Sequence, residues 1–235
     1  MSPVVDWLRR SLWDMVPRDH REAPETLRRR QWVTAGFVLL GASVLGFSLR
    51  IEPGSDWFYL STLVLAGAWA VGAFVSGPLH LGRIAHRDEL VRPWATPIGL
   101  GLAIAGIFVV GGLVVREIPF LGDQVASVLD YADQGSLAIL VGITLVNGVA
   151  EELFFRGAAY AAIPRRPVLW TSIAYPIATL ATGNVMLSFA AALLGVVVGL
   201  ERRASGGILA PILTHITWSL SMLLVLPLVF GATPG

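Results

Sequence analysis

Seven apolar segments, each close to the length that spans a bilayer, constrain this 235-residue chain more than any other feature of its sequence. A helix needs about 20 apolar residues to cross the hydrocarbon core of a membrane. The segments cover residues 32–49, 57–77, 96–115, 136–163, 168–182, 185–200 and 208–230. Since only helices and closed barrels satisfy the backbone inside a bilayer, the pattern predicts an all-α polytopic transmembrane bundle of about seven spans with short interfacial helices.

The composition agrees with a membrane setting and excludes several kinds of site. Hydrophobic residues make up 55% of the chain, charged residues 14%, and the mean hydropathy is +0.70. The chain contains no cysteine, which excludes disulfides, a thiolate nucleophile, iron–sulfur clusters and cysteine-ligated zinc. A net charge of +1 indicates no nucleic-acid partner.

The fifth and sixth apolar segments are short, and only Gly183 and Asn184 separate them. Such a junction predicts a tight helical hairpin or one deeply inserted pair of helices.

Arginine clusters alternate with the predicted spans. Because cytoplasmic loops are enriched in Lys and Arg, the alternation places the N-terminus inside and the C-terminus outside. The clusters precede the first span and follow the second, fourth and sixth: Arg9, Arg10, Arg18, Arg21, Arg28, Arg29 and Arg30; Arg83, Arg87 and Arg92; Arg165 and Arg166; Arg202 and Arg203.

Outside the spans, two segments have the spacing of amphipathic helices. In residues 1–31, Val5, Leu8 and Leu12 lie one helical turn apart and basic residues follow, which predicts a cytoplasmic N-terminal amphipathic segment. A partly ordered tail fits the same residues. Residues 32–235 then form the membrane domain, in which Val125 and Val128 indicate a second interfacial helix.

Three ionisable residues interrupt the fourth apolar segment: Glu151, Glu152 and Arg156. A charge at the centre of a membrane helix costs about 2.5–3.5 kcal/mol on insertion scales, so such residues indicate a functional site. Glu152 and Arg156 lie four residues apart, acid first, which favours an ion pair. Glu151 is rotated by about 100° from Glu152 and stays available as a general base. The alternative is a buried ionic lock between helices.

A second polar position lies in the last apolar segment. His215 is the only histidine within a predicted span, and Ser219 shares its helical face one turn later. Taken alone, this histidine is either a hydrogen-bonded core residue or part of a site.

Together these residues resemble the CPBP family of intramembrane proteases, also called the CaaX-protease and bacteriocin-processing or Abi family. Glu151, Glu152, Arg156 and the following Gly157 match its Glu-Glu-x-x-x-Arg motif. The stretch from Leu194 to His215 is similar to the approach to its final motif. The resemblance covers residues 136–230 and implies a hydrolase of peptide bonds.

The chain departs from two family motifs. Where the family has Phe-x-x-x-His, the best counterpart is residues 180–184, with Asn184 in place of histidine. Where the family has His-x-x-x-Asn, this chain has His215 and Ser219. Asparagine can orient a water but cannot take a proton as imidazole does.

The resemblance implies a catalytic set of Glu151, Glu152, Arg156, His215, Asn184 and Ser219. It leaves two mechanisms open. In one, zinc is bound by Glu151 and His215; in the other, no metal takes part, Glu151 deprotonates water and His215 stabilises the oxyanion.

Three functions follow as hypotheses. The first is an intramembrane endopeptidase whose partners are the lipid bilayer and a peptide or membrane-protein substrate. The second is a proteolytically inactive relative that binds a partner or peptide, and the third is a small proton-coupled transporter. Arginine supplies all the basic side chains and lysine is absent, a composition typical of high-GC bacteria, so the expected location is a bacterial cytoplasmic membrane.

Overall fold

The computed structural model describes residues 2–17, 22–48, 50–51, 55–86, 89–133 and 136–231. Arg18, Arg21 and Arg87 of the predicted basic clusters lie outside the described residues.

Helices dominate the chain order. They are α1 (Pro3–Leu12), α2 (Pro24–Ser48), α3 (Asp56–Ser76), α4 (Ala95–Val115), α5 (Pro119–Asp133), α6 (Leu137–Glu152), a π-helical segment (Leu153–Ala159), α7 (Tyr160–Ala162), α8 (Pro167–Leu180), α9 (Val185–Ser205) and α10 (Leu209–Phe230). A two-stranded antiparallel hairpin, β1 (Ile84–His86) and β2 (Glu89–Val91), lies between α3 and α4.

The predicted polytopic helical bundle is confirmed. Within the described residues, six helices are long and apolar enough to cross a membrane, and α8 is a shorter apolar helix of 14 residues. The π-helical segment continues α6 into α7, so that Leu137–Ala162 forms one of the six. The chain is an integral membrane protein.

The predicted hairpin of helices at Gly183 and Asn184 is also present. Gly183 has a φ of 76°, in the left-handed region that glycine tolerates best. Asn184 caps α9, because its side-chain oxygen accepts a hydrogen bond of 3.0 Å from the Leu187 amide.

One end of the bundle gathers all four arginine clusters, and we call it the basic end. Three hydrogen bonds fasten it. Gln31 of α2 donates to the Ala162 carbonyl (3.0 Å), the Val16 amide to the Ala204 carbonyl (3.1 Å), and the Ile208 amide to the His80 carbonyl (2.9 Å). At the other end, which we call the opposite end, Arg116 donates to the Val229 carbonyl (3.0 Å).

Two non-spanning helices occupy predicted positions. The N-terminal helix α1 buries Ser11 and Leu12 against the basic end, where Arg203 donates to the Leu12 carbonyl. The predicted boundary between residues 31 and 32 falls inside α2. At the opposite end, α5 contains Val125 and Val128.

The hairpin β1–β2 is not predicted from the sequence. Ile84 pairs with Val91 and His86 with Glu89, so each strand has only three residues. Strands this short give no alternating pattern long enough to distinguish from a loop.

An aromatic core packs α3 against the fourth span. The Trp69 ring lies 4.6 Å from the Phe154 ring and 5.2 Å from the Phe155 ring, centroid to centroid. Outward-facing side chains such as Ile107 and Val110 are exposed, as lipid-facing residues of a bundle are. The core therefore fixes the π-helical segment, which carries Arg156.

Candidate active site

The polar site begins where α6 passes into the π-helical segment. Glu151 and Glu152 end α6, and Arg156 lies in the wider turn that follows. Such π-helical turns occur frequently at functional sites. Gly157 permits a close approach from the chain after α3, because a Cβ there would lie 2.7 Å from Leu79 Cδ2.

Glu152 is the centre of a buried network. Its Oε1 atom accepts hydrogen bonds from Arg156 Nη1 (3.0 Å) and from His215 Nδ1 (2.8 Å). Glu152 and Arg156 are 0% exposed and His215 is 5% exposed. The predicted ion pair between Glu152 and Arg156 is therefore present, and it includes the histidine of α10, 63 residues away along the chain.

Arg156 connects this network to two further helices. Its Nη2 atom donates to the Gly195 carbonyl of α9 (3.2 Å), and its guanidinium carbon lies 4.9 Å from the centre of the Tyr175 ring of α8. The stacking is a cation–π contact, which is strengthened when the cation is desolvated. Arg202 also donates to the Arg156 carbonyl (2.7 Å). Arg156 is therefore held by its backbone and by its side chain.

Glu151 faces a different surface from Glu152, as the helical rotation predicts. It is partly exposed, and its Oε2 atom accepts a hydrogen bond from the Tyr175 hydroxyl. Tyr175 lies under Arg156 and 6.4 Å, ring to ring, from His215. One tyrosine thus joins the two glutamates and the histidine.

His215 is oriented by its surroundings. Thr214, the preceding residue, donates to the Pro97 carbonyl of α4 (3.0 Å) and so fixes the start of α10. The Trp218 ring lies 6.2 Å from the histidine ring. Because Nδ1 is bonded to Glu152, Nε2 is the nitrogen left to meet a substrate.

The site lies nearer the basic end than the opposite end. At 1.5 Å per helical residue, Arg156 lies about 9 Å and Glu152 about 15 Å from the end of α7. His215 lies about 9 Å from the first residue of α10 by the same measure.

The structure places Asn184 away from these residues. Its side-chain nitrogen donates to the Gln124 carbonyl (2.6 Å) and to the Ser127 hydroxyl (3.2 Å) of α5, while its oxygen caps α9. Gly195, which contacts Arg156, is eleven residues further along α9, roughly 16 Å. Ser219 lies one turn after His215 on α10 and is partly exposed.

Sequence reasoning missed Tyr175, Gly195 and Ser172. Ser172 donates to the Gly195 carbonyl (3.1 Å), the same carbonyl that accepts from Arg156. A usable signal exists for Tyr175, since it is a polar aromatic residue in an otherwise apolar 14-residue helix. For Gly195 the contact is made by a backbone carbonyl, which carries no sequence signal.

The residues of this site do not fit a zinc ion. Catalytic zinc takes three protein ligands and a water, and among the residues that the structure describes no three His, Cys, Asp or Glu side chains group as a metal site. Glu151 and His215 would supply two ligands, while Asn184, the third member that sequence suggests, contacts α5 instead.

Comparison with known families gives one match. Residues 133–221 match the family model described as Type II CAAX prenyl endopeptidase Rce1-like. Comparisons with curated proteins and with solved structures give no significant match. The matched residues include the glutamate motif, α8, α9 and His215. The resemblance predicted from these motifs is confirmed: over residues 133–221, this chain is an Rce1-like member of the CPBP family of intramembrane proteases.

Proposed function

We propose that this protein is an intramembrane endopeptidase in which Glu151 activates the water that attacks a peptide bond. One observation carries the proposal: two adjacent glutamates have separate partners, Glu151 with Tyr175 and Glu152 with Arg156 and His215. The partly exposed glutamate is the one available to water and substrate, and the buried glutamate orients the histidine.

In the proposed reaction, a Glu151 oxygen takes a proton from water as the water oxygen bonds to the peptide carbonyl carbon. An imidazolium stabilised by Glu152 presents its Nε2–H to the developing oxyanion, in the role that preorganised donors have in acyl transfer. The carbon–nitrogen bond then breaks, and the leaving amine receives a proton from His215 or from Glu151. No step uses a metal ion.

Arg156 and Tyr175 have positioning roles in this scheme. Arg156 shares Glu152 Oε1 with the histidine and so neutralises the carboxylate without occupying Glu151. Tyr175 donates to Glu151 Oε2, which leaves the other carboxylate oxygen for the water. Ser219 lies on the histidine's helix and is proposed to contact the substrate rather than to take a proton.

The proposed substrate is a peptide or a membrane protein that is cleaved near one face of the membrane. The family name refers to endopeptidases acting on prenylated CAAX sequences, and the site depth of about 9–15 Å from the basic end suits a peptide bond that enters from that side. We place the basic end, with the N-terminus, in the cytoplasm, because arginine-rich loops are retained there.

The test compares the wild type with Glu151→Gln and with Glu117→Gln in proteoliposomes, using a library of internally quenched peptides. Glu117 is an exposed glutamate at the opposite end and controls for the loss of one carboxylate. The proposal requires cleavage by the wild type and by Glu117→Gln, a loss of about 10²–10⁴-fold in Glu151→Gln, and unchanged cleavage in the presence of a chelator. Full cleavage by Glu151→Gln would overturn it.

A second candidate function is a proteolytically inactive relative that binds a peptide or protein partner. It is favoured by the complete burial of Glu152 and Arg156, since a buried ion pair of this kind also suits a purely structural lock. In that case the wild type and Glu151→Gln bind the same peptides with equal affinity and neither cleaves them.

A further inference from the structure

A polar cavity opens at the basic end, apart from the site of Glu151 and His215. Its volume is about 430 Å³. Three segments enclose it: residues 79–83 after α3, the hairpin β1–β2, and the turn between α9 and α10, which contributes Ser205 and Gly206. The reaction proposed above does not use this cavity.

The lining is basic. Arg83 and Arg92 line the cavity, and within the described residues no aspartate or glutamate does. Arg92 is held in place, because its Nη1 atom donates to the Gly82 carbonyl (2.6 Å). The Arg83 backbone is held as well, by a hydrogen bond of 2.9 Å from its amide to the Ser205 carbonyl. Two guanidinium groups therefore face one cavity from fixed backbone positions.

His80 lines the same cavity. Partial burial and the nearby guanidinium groups of Arg202 and Arg30 lower the pKa of His80, and Glu22 opposes this only in part. The imidazole is therefore neutral near pH 7 and adds hydrogen-bonding capacity rather than charge.

Exposed apolar side chains adjoin the arginines. Leu81 and Leu90 line the cavity and are exposed, and Trp94, exposed as well, begins the approach to α4. Tryptophan is enriched where hydrocarbon meets the headgroup layer. A cavity with two arginines inside and leucines at its edge thus lies at the level of the headgroups, with an apolar surface next to it.

We propose that this cavity binds the phosphate of an anionic phospholipid from the leaflet at the basic end. The guanidinium forks of Arg83 and Arg92 match the oxygens of a phosphate, and basic pockets of this kind on helical membrane proteins bind anionic headgroups. Leu81 and Leu90 contact the upper part of the acyl chains. The inference does not depend on whether the protein cleaves peptides.

Lipid bound here bridges elements that also hold the site. The His80 and Leu81 carbonyls accept hydrogen bonds from Ile208 (2.9 Å) and Leu209 (3.0 Å) at the start of α10. Leu79, also in the lining, contacts Gly157 of the π-helical segment. Bound lipid is therefore expected to raise the thermal unfolding temperature of the protein.

The experiment titrates the purified full chain in neutral detergent with short-chain phosphatidylglycerol, and separately with phosphatidylcholine of the same chain length and with inorganic phosphate. The variant is Arg83→Gln/Arg92→Gln. The control is Arg28→Gln/Arg29→Gln, which removes the same charge from exposed positions at the same end. Binding is measured by thermophoresis and by the shift in unfolding temperature.

With about 1 kcal/mol for each arginine at a membrane surface, the affinity of the cavity variant for phosphatidylglycerol should fall about 30-fold, while the control stays within about threefold of the wild type. Phosphatidylcholine should bind the wild type at least tenfold more weakly than phosphatidylglycerol, by the same reasoning on charge.

Three outcomes would overturn the proposal. Equal loss of affinity in both double variants would reduce the effect to general surface charge. Equal binding of phosphatidylcholine would remove the requirement for an anion, and inorganic phosphate binding as tightly as the lipid would assign the cavity to free phosphate. If the double variant fails to fold, Arg83→Gln alone decides, with an expected loss of about fivefold.

Discussion

Glu151 and Glu152 are neighbours in the chain, yet they belong to two different regions of the molecule. Glu152 points into the bundle, where Arg156 and His215 share one of its oxygens and no part of it is exposed. Glu151 lies on the side of α8, is partly exposed and accepts a hydrogen bond from Tyr175.

The difference arises from helix geometry. A rotation of about 100° per residue sends adjacent side chains to different neighbours, so one glutamate meets α10 and the other meets α8. Separating the two carboxylates in this way gives one a structural environment and the other a reactive one. We infer that the buried region maintains the geometry and the partly exposed region performs the chemistry.

The largest effect is expected for Glu152→Ala. Removing this carboxylate leaves a buried guanidinium without its counter-charge, so the free energy of unfolding should fall by about 3–5 kcal/mol. Glu151→Ala should cost about 1 kcal/mol or less, as typical for a single hydrogen bond. Unfolding in detergent, followed by circular dichroism, measures both. Similar losses for the two variants would erase the distinction between the two regions.

A double variant sharpens this comparison. Glu152→Ala/Arg156→Leu removes both charges and should recover part of the lost stability, because the remaining cost is no longer that of an unpaired buried ion. If the double variant is less stable than Glu152→Ala, the network is held by contacts other than the ion pair.

His215→Asn separates orientation from chemistry at the point where the two regions meet. The asparagine amide can still donate to Glu152, but the Nε2 position is lost, so the turnover number should fall about 100-fold or more with a modest change in stability. Turnover of quenched peptides and unfolding temperature are measured on the same preparation. Wild-type turnover would exclude the histidine from the reaction.

Tyr175→Phe tests the partly exposed region alone. The ring remains under Arg156, while Glu151 loses its hydrogen-bond donor, so we expect a decrease of about tenfold in turnover, equivalent to about 1.4 kcal/mol, at nearly unchanged KM. Tyr175→Leu, which also removes the cation–π contact, should lose stability in addition. A change in KM without a change in turnover would instead make Tyr175 a substrate contact.

The smallest effect is expected for Asn184→Ala, outside both regions. Loss of the α9 cap should lower the free energy of unfolding by about 1 kcal/mol and leave turnover unchanged, whereas Asn184→Asp should keep the cap. The sequence motif makes the contrary prediction, a loss of turnover without loss of stability, and a kinetic comparison of the two variants decides between them.

Asn184 shows where motif spacing loses its meaning. Counting four residues from an aromatic or aliphatic position leads to Asn184 along the chain, but the turn at Gly183 puts that residue at the end of α9, against Gln124 and Ser127 of α5. Tyr175, nine residues earlier, is the α8 side chain that contacts Glu151. Which residue of a helix faces a site depends on where the helix packs, and spacing within one strand of sequence does not contain that information.

The sequence by itself determined the membrane fold, the two-helix junction, the ion pair of Glu152 with Arg156 and the separate orientation of Glu151. Each depends on hydrophobicity or on the helical repeat, which act locally along the chain. Only the tertiary structure decided that His215 bonds to Glu152 rather than to Glu151, that Tyr175 joins the site, and that Arg83 and Arg92 face one cavity. These contacts join different elements, most of them distant in the chain, and they form only when helix packing fixes their relative positions.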